Sequence, residues 1–329
     1  MMDNLANIKS SQRTKVSGKT GNPNKLRGSN EQGKVILVGA GPGDPNLLTL
    51  GAMKAIQTAD VIVYDNLVSS DIRALFPETT TKQYVGKAKG QHSSTQDQIN
   101  QILIESAQQG NTVCRVKGGD SFVFGRGGEE MLSLAENGIE VDVVPGITAA
   151  SGCTSYANIP LTHRGLAQGC TYITAHAEKD LEIQWSALAQ LNQTLVIYMG
   201  LSKVELISDN LIKAGMSRTT PVALIEKGCC PDQRTFTGQL DDLVQLKEAH
   251  QVRSPALIVI GSVVSVAEQM KKLAEINQAE ANHANSLGRL SELGTLREQQ
   301  HAITIEKAST IETATSKERV TKEQLKLTA

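Results

Sequence analysis

The sequence predicts an α/β protein of two α/β domains, with a mainly parallel sheet in the first domain and a mixed sheet in the second. Short apolar runs alternate with helix-like segments twice along the 329-residue chain. A stretch rich in Gly, Ser and Thr at 145–164 separates the two halves, and a hairpin-like run at 233–238 breaks the alternation in the second half. Because small-molecule sites prefer clefts between domains, we expect the active site beside this stretch.

The strands are predicted from apolar runs bounded by glycine and other turn residues. The fourth run of the first half alternates apolar and acidic residues, which indicates that one of its faces is exposed. The predicted strands are 34–39, 61–64, 112–117 and 139–146, followed by 171–175, 194–199, 221–226 and 255–261.

The helices of the first half are predicted from capping residues. Asp44 is a good N-cap and Pro45 a good first residue, so we expect a helix to start there. Thr95 and Gln98 have the spacing of a capping box, and a glycine follows the second and third helices. The predicted helices cover 45–59, 95–110 and 128–137.

The chain divides into four predicted regions: a disordered polar tail at 1–32, domains at 33–150 and 151–268, and a polar helical or disordered tail at 269–329. An organelle-targeting peptide is the alternative for the first tail. Leucines recur every third residue from Leu287 to Leu296, although glycines interrupt them. A coiled-coil dimer arm is therefore an alternative to a frayed tail.

The composition excludes several classes of function. A formal net charge of -1 and 3% aromatic residues oppose a nucleic-acid partner, and no apolar run is long enough for a membrane span. The cysteines are odd in number and lack C-x-x-C spacing, which indicates reduced thiols in a cytoplasmic protein. No histidine cluster accompanies Cys229 and Cys230, so we expect no metal site.

A glycine-rich loop, GAGPGD at 39–44, follows the first strand and precedes a helix. A dinucleotide-binding fingerprint would have its last glycine at the position of Asp44, where a carboxylate would repel a pyrophosphate. A nicotinamide or flavin site is therefore disfavoured. A tight turn without a ligand remains the alternative for this loop alone.

Seven segments, taken together, resemble the signatures of the tetrapyrrole methylase family, in its uroporphyrinogen branch. They are VGAGPGDPNLLTL (38–50), YDNLV (64–68), GGDSFVFGRGGEE (118–130), VPGITAA (144–150), PLTHRG (160–165), YMG (198–200) and QRT (233–235). The resemblance covers about 33–268. Two positions depart from the family pattern: Ser121 replaces a proline, and Cys229 follows Gly228 where the family has the threonine of a Gly-Thr pair, so no hydroxyl-mediated cofactor contact is expected there.

The resemblance implies that S-adenosylmethionine binds between the domains and leaves as S-adenosylhomocysteine. A side chain at Gly118 or Gly119 would hold the backbone away from this cofactor. Met199 would offer a soft apolar wall, with core packing as the alternative. The implied cofactor-binding residues are Pro42, Gly118, Gly119, Asp120, Val123, Thr148, Ala149, Met199, Gly228 and Ala256.

The resemblance also implies methylation of uroporphyrinogen III to precorrin-2, with Arg126, Glu129 and Arg164 in the substrate pocket. Guanidinium groups bind carboxylates in bidentate fashion, which suits a substrate fringed with acetate and propionate. An Arg126–Glu129 surface ion pair is the alternative. Asp65 follows a strand and is the candidate catalytic carboxylate for pyrrole N–H groups or a developing cation, with a helix cap as the alternative. His163 could shuttle a proton or be structural.

Other functions remain possible at this point: a sister methylase of later corrin intermediates, diphthine or ribosomal RNA, or a cofactor-binding module that has lost catalysis. The resemblance further implies a homodimer. Because the leader is far too short for a fused dehydrogenase–ferrochelatase domain, we expect a stand-alone methyltransferase.

Overall fold

A computed structural model of the protein describes residues 32–86, 95–176 and 183–282, with a few isolated positions beyond 295. In these residues, ten strands form two five-stranded sheets, with helices packed against them. This confirms the predicted class, two α/β units with one sheet each.

The first sheet is entirely parallel in the described residues. Its apolar strands are buried because helices cover both faces, giving one apolar cluster on each side. The strand at 140–144, which was predicted to have one exposed face, does expose Glu140 and Asp142. The strand at 81–84 was not predicted, since its sequence is polar and it lies at the sheet edge. The strands are β1 (Lys34–Gly39), β2 (Val61–Tyr64), β3 (Thr81–Tyr84), β4 (Thr112–Lys117) and β5 (Glu140–Val144), in the order β3-β2-β4-β1-β5.

The helix predicted at 45–59 starts later than expected, and this prediction was wrong at its N-terminus. Asp44 caps only a 3-10 turn, Pro45–Leu47, after which the chain is extended at Leu48. The α-helix itself begins at Leu50, where the Thr49 side chain accepts a hydrogen bond from the Ala52 N–H. The Asp-Pro pair therefore starts a turn, and the threonine starts the helix.

The other two helices of this half are confirmed, including the reciprocal capping box between Thr95 and Gln98. Gly110 and Gly138 follow their helices with positive φ, as helix-ending glycines do. A short helix near 70 was not predicted. The helices of the first half are α1 (Leu50–Thr58), α2 (Ser70–Arg73), α3 (Gln96–Gln108) and α4 (Gly127–Glu136).

The stretch at 145–164 is not only a linker, because it contains the helix α5 (Ala149–Tyr156). Ala150 and Cys153 of α5 pack into an apolar cluster formed largely by the second sheet. The helix lies across the predicted boundary at 150–151, and the division into domains stays a prediction.

The second sheet is mixed, as the run at 233–238 predicted. Its first two strands are parallel and its other pairs antiparallel. The strands are β6 (Cys170–Thr174), β7 (Thr194–Tyr198), β8 (Pro221–Glu226), β9 (Arg234–Gln239) and β10 (Ala256–Ile260), in the order β6-β7-β10-β8-β9. The helices are α6 (Trp185–Gln190), α7 (Val204–Lys213), α8 (Leu243–Ala249) and α9, which covers 264–282.

The predictions for residues 1–31 and for the leucines at 287, 290 and 293 lie outside the described residues. Leu296 is described and exposed. Within the described ranges, no helix combines the length and the apolar character needed to cross a bilayer.

Candidate active site

Three glycines bring three backbones together at the carboxyl edge of the first sheet. Gly39 ends β1, and Gly119 and Gly146 lie just beyond β4 and β5, the strands on either side of it. A Cβ added at Gly146 would lie 2.4 Å from the Gly119 carbonyl oxygen and 2.5 Å from Gly39. Gly41 and Gly119 exchange two backbone hydrogen bonds, of 3.0 and 2.7 Å. The loops after β1 and β4 are thus joined where open α/β sheets place ligands.

Asp120 organises the loop that follows. Its Oδ1 accepts the backbone N–H groups of Phe122 and Val123 at 2.9 and 3.2 Å, and its Oδ2 accepts that of Gly146 at 3.1 Å. The side chain therefore shapes the backbone of the predicted cofactor loop rather than pointing freely into the crevice.

The two glycines before Asp120 have different surroundings. Gly119 has φ +74°, and a Cβ there would meet only the Ala149 N within 4 Å, so its surface is open. A Cβ at Gly118 would lie 2.6 Å from the Leu67 Cβ. The open surface of Gly119 suits a ligand, whereas Gly118 is required for the close approach of the 65–68 turn.

Tyr198, at the end of β7, joins the second sheet to the start of α5. Its hydroxyl lies 2.7 Å from the Thr148 Oγ1 and accepts the Ala150 N–H at 2.8 Å. Thr148 is the N-cap of α5 but makes no side-chain cap hydrogen bond, so Tyr198 supplies the cap instead. Burial raises the pKa of the Tyr198 phenol, which therefore keeps its proton at neutral pH. The sequence reasoning did not single out this side chain.

Met199 follows with the backbone in the left-handed region, at φ 53°, and its side chain is 49% exposed. A bulky residue held in that region and left exposed is typical of a functional position. Core packing, the alternative considered for Met199, does not fit this exposure.

The remaining predicted cofactor residues lie where loops pack. Pro42 lies against Gly152 of α5, since a Cβ added at Gly152 would lie 2.5 Å from the Pro42 Cγ. Gly228 packs onto Cys153 in the same way. Ala256 starts β10 and packs partly buried against the apolar cluster of the second sheet.

Arg126 and Glu129 share one face at the start of α4, as predicted. Arg126 donates from Nε to Glu129 Oε1 at 2.9 Å and from Nη2 to Oε2 at 2.7 Å, a bidentate pair. The two side chains are 46% and 54% exposed, and the Arg126 backbone has φ 58°. The guanidinium lowers the pKa of Glu129, so the pair is ionised at neutral pH. The two side chains thus form the exposed ion pair that was the alternative for them, and their role in a substrate pocket stays a prediction.

Asp65 belongs to a buried charge network that the sequence reasoning missed. Its Oδ2 accepts from Arg115 Nη2 at 3.0 Å, and Arg115 Nε donates to Glu130 Oε1 at 3.3 Å. Lys117 also donates to Glu130 Oε1, at 2.9 Å, and desolvation lowers the pKa of this lysine. Asp65 additionally accepts the Leu67 N–H at 3.0 Å, whereas the cap of α2 is Ser69. Asp65 is thus fixed by a salt bridge and is not a helix cap.

Arg164 lies on a different element, the exposed turn that His163 and Ala167 close with backbone hydrogen bonds. The His163 Nδ1 lies 2.9 Å from the Arg164 carbonyl oxygen. Both side chains line a cavity of about 370 Å³ together with Thr162 and Gln168.

Comparisons with known proteins agree with this architecture. The family model described as Tetrapyrrole (Corrin/Porphyrin) Methylases matches residues 34–244. The chain belongs to the tetrapyrrole methylase family.

Three relatives are informative. The methylase is 53% identical over 240 residues to siroheme synthase 2 of Yersinia enterocolitica, covering 73% of this chain but 50% of the relative. It is 38% identical to uroporphyrin-III C-methyl transferase from Thermus thermophilus, solved with S-adenyl homocysteine, over 71% of this chain and 100% of the other, with a TM-score of 0.63. A cobalt precorrin-4 methyltransferase is 27% identical, and the match covers 70% of this chain and 95% of the other, with a TM-score of 0.64. The methylase thus spans about half the length of the curated relatives it matches.

One of the two departures from the family pattern has a visible structural consequence. Ser121 is buried, and its Oγ has no hydrogen-bond partner among the described residues. Its carbonyl oxygen accepts the Gly127 N–H at 2.9 Å, which closes the loop onto the start of α4. This contact uses only backbone atoms, so it does not require a proline at position 121.

Proposed function

We propose that the methylase transfers methyl groups from S-adenosylmethionine to C2 and C7 of uroporphyrinogen III, giving precorrin-2 by way of precorrin-1. The observation that carries this proposal is the 38% identity over the whole of the Thermus thermophilus uroporphyrin-III C-methyl transferase. The names of the longer relatives support a place in sirohaem synthesis, or in the related cobalamin-type route. We further propose that the protein is cytoplasmic and acts as a homodimer.

Two residues of the site have properties that suit S-adenosylmethionine. Gly119 leaves its backbone open, and the exposed Met199 side chain offers a polarizable apolar surface. We propose that these two residues, together with the Asp120 loop, Thr148 and Ala149, hold the adenosyl and methionyl parts. When bound, S-adenosylmethionine supplies an electrophilic methyl group on a sulfonium leaving group.

The Arg126–Glu129 pair is proposed to grip the polyanionic substrate. Glu129 uses both oxygens on Arg126 and so fixes the plane of the guanidinium, and the Arg126 side chain is 46% exposed. Arg164, on its exposed turn, is proposed to bind a second carboxylate of the same macrocycle. Orienting the ring in this way is the main contribution that the protein can make to methyl transfer.

Asp65 is proposed to face the pyrrole nitrogens. The Arg115 salt bridge and the Leu67 N–H hold its carboxylate in one orientation. A carboxylate so fixed can stabilise positive charge that develops on a methylated ring and can accept hydrogen bonds from pyrrole N–H groups.

The activity is tested by incubating the purified protein with S-adenosylmethionine and uroporphyrinogen III, followed by mass spectrometry. We expect a gain of two methyl groups per macrocycle and formation of S-adenosylhomocysteine. No gain with this substrate, but a gain with a later corrin intermediate, would favour the sister activity that the likeness to cobalt precorrin-4 methyltransferase suggests. S-adenosylhomocysteine binding without transfer to either substrate would indicate a non-catalytic module.

The substrate role of Arg126 is tested by Arg126→Ala. We expect the KM for the tetrapyrrole to rise, since a bidentate carboxylate contact is lost, while S-adenosylhomocysteine affinity stays unchanged. Arg218→Ala is the matched control, because Arg218 forms an exposed ion pair with Asp241 in the second half. A parallel loss of affinity for both ligands would contradict the assigned role.

A further inference from the structure

Three of the five cysteines meet between the first glycine loop and the second sheet. Cys153 lies on α5, and Cys229 and Cys230 lie on the turn after β8. Cys153 and Cys229 are buried, and Cys230 is half-buried. The methyl-transfer proposal gives none of these thiols a role.

The contact between Cys153 and Cys229 is reciprocal. Gly152 and Gly228 directly precede the two cysteines. A Cβ at Gly228 would lie 2.2 Å from the Cys153 Sγ, and a Cβ at Gly152 would lie 3.2 Å from the Cys229 Sγ. Each glycine therefore makes room for the sulfur of the opposite cysteine, because a side chain at either glycine would crowd that sulfur.

The two thiols also interact directly. A hydrogen bond between them lowers the pKa of Cys229 and raises that of Cys153. The Cys229 backbone is held in the left-handed region at φ 60°, and its N–H donates to Gln233 Oε1 at 2.7 Å. Cys229 is thus the better nucleophile of the pair, with a protonated thiol beside it.

Cys230 has a different environment. A Cβ at Gly43 would lie 2.6 Å from the Cys230 Sγ, so this sulfur packs under the first glycine loop. Burial, followed by the Asp232 carboxylate, raises the pKa of Cys230. This makes Cys230 the less reactive thiol and a matched control for its neighbour.

We propose that Cys153 and Cys229 form a peroxide-sensitive dithiol site, which hydrogen peroxide converts to a disulfide. The Cys229 thiolate attacks one peroxide oxygen and breaks the O–O bond, giving a sulfenic acid and hydroxide. The Cys153 sulfur then attacks the Cys229 sulfur and displaces the hydroxyl, which leaves as water. The proton that Cys229 lost on ionisation converts the hydroxide to a second water, so that in total two thiols are oxidised, one peroxide is reduced, and two waters form.

The disulfide also regulates cofactor binding, and this part rests on the proposed function. A disulfide places its sulfur atoms about 2.05 Å apart and ties α5 covalently to the 228–230 turn, which fixes the spacing of these two segments. Ala149, at the start of α5, and Gly228 are both proposed cofactor contacts. We therefore expect oxidation to weaken S-adenosylhomocysteine binding by about tenfold, a size typical of coupled sites.

The dithiol site is tested on the native full-length protein, treated with hydrogen peroxide and read by intact mass and by peptide mapping. We expect a loss of about 2 Da that a reductant reverses, and a cross-linked peptide that joins Cys153 to Cys229. Cys153→Ser and Cys229→Ser should abolish the loss, whereas Cys230→Ser and Cys170→Ser should retain it. Gain of oxygen without a cross-link, or a cross-link between Cys229 and Cys230, would overturn the proposal.

The coupling is tested by calorimetric titration of S-adenosylhomocysteine into the reduced and the cross-linked protein. Unchanged affinity after cross-linking would overturn the regulatory part. A reduced protein that binds no S-adenosylhomocysteine would count against the proposed function, while the mass measurement, which needs no ligand, would still decide the dithiol site.

Discussion

Removal of one hydroxyl, in Tyr198→Phe, should loosen the connection between the second sheet and α5. The Ala150 N–H is buried and loses its acceptor, which costs about 1–3 kcal/mol for an unsatisfied buried donor. The Thr148 hydroxyl also loses its partner, but it is only half-buried and can turn to water. We therefore expect the free energy of unfolding to fall by about 2 kcal/mol, or about 3 °C in Tm for a chain of this size.

The same substitution should also affect ligand binding, because Thr148 and Ala149 are proposed cofactor contacts at the start of α5. Urea unfolding followed by circular dichroism measures the stability change, and calorimetric titration of S-adenosylhomocysteine measures the affinity, which should fall several-fold. Tyr172→Phe is the control, since Tyr172 packs beside Tyr198 with ring centroids 6.1 Å apart and its hydroxyl interacts with the Cys170 thiol of the same strand. Equal stability and affinity of wild-type and Tyr198→Phe protein would refute the capping role.

Two further predictions concern charged groups. Arg115→Met should lower the free energy of unfolding by about 3–5 kcal/mol in a urea titration, because it leaves Glu130 with one fewer cation in a buried network; a change below about 1 kcal/mol would show that the network is not needed. Tyr156→Phe removes the 2.5 Å hydrogen bond to the Asp44 carboxylate, which lowers the pKa of Asp44 below its usual 3.8 in the folded protein. The hydrogen bond therefore stabilises the wild-type fold above pH 3.8, and this stabilisation is lost as the pH falls through the lowered pKa of Asp44. The Tm difference between wild-type and this variant should therefore vanish in acid, and a difference that persists there would contradict the assignment.

The sequence predicted those elements whose signals are local. Apolar runs marked the buried strands, and the capping box at Thr95 placed the start of α3 correctly. The strand β3 was missed because its polar residues lie at an exposed edge, where burial does not select apolar side chains. Asp44 and Pro45 started a 3-10 turn because the chain becomes extended at Leu48 before Thr49 caps the helix.

The candidate site was predictable where a short motif carries it and was missed where partners come from distant segments. Arg126 and Glu129 are three residues apart, so helix geometry alone predicted their pairing. Tyr198 caps α5 from 48 residues further along the chain, and no local pattern indicates such a partner. Arg115 and Lys117 did leave a signal, two cations inside an otherwise apolar strand, which should have prompted a search for a buried carboxylate.

The contact among Gly39, Gly119 and Gly146 sets a limit for protein engineering. A methyl group added at Gly39 or Gly146 would overlap facing backbone atoms, and Gly119 has a positive φ that disfavours other residues, so a mutant library that randomises these codons should return mostly glycine. Three residues of the proposed binding site, Arg126, Arg164 and Met199, are exposed instead. Their side chains can be substituted without disturbing the close packing of the backbones that follow β1, β4 and β5. Variants with altered substrate preference should therefore be sought by substituting these three exposed residues while the three glycines are kept.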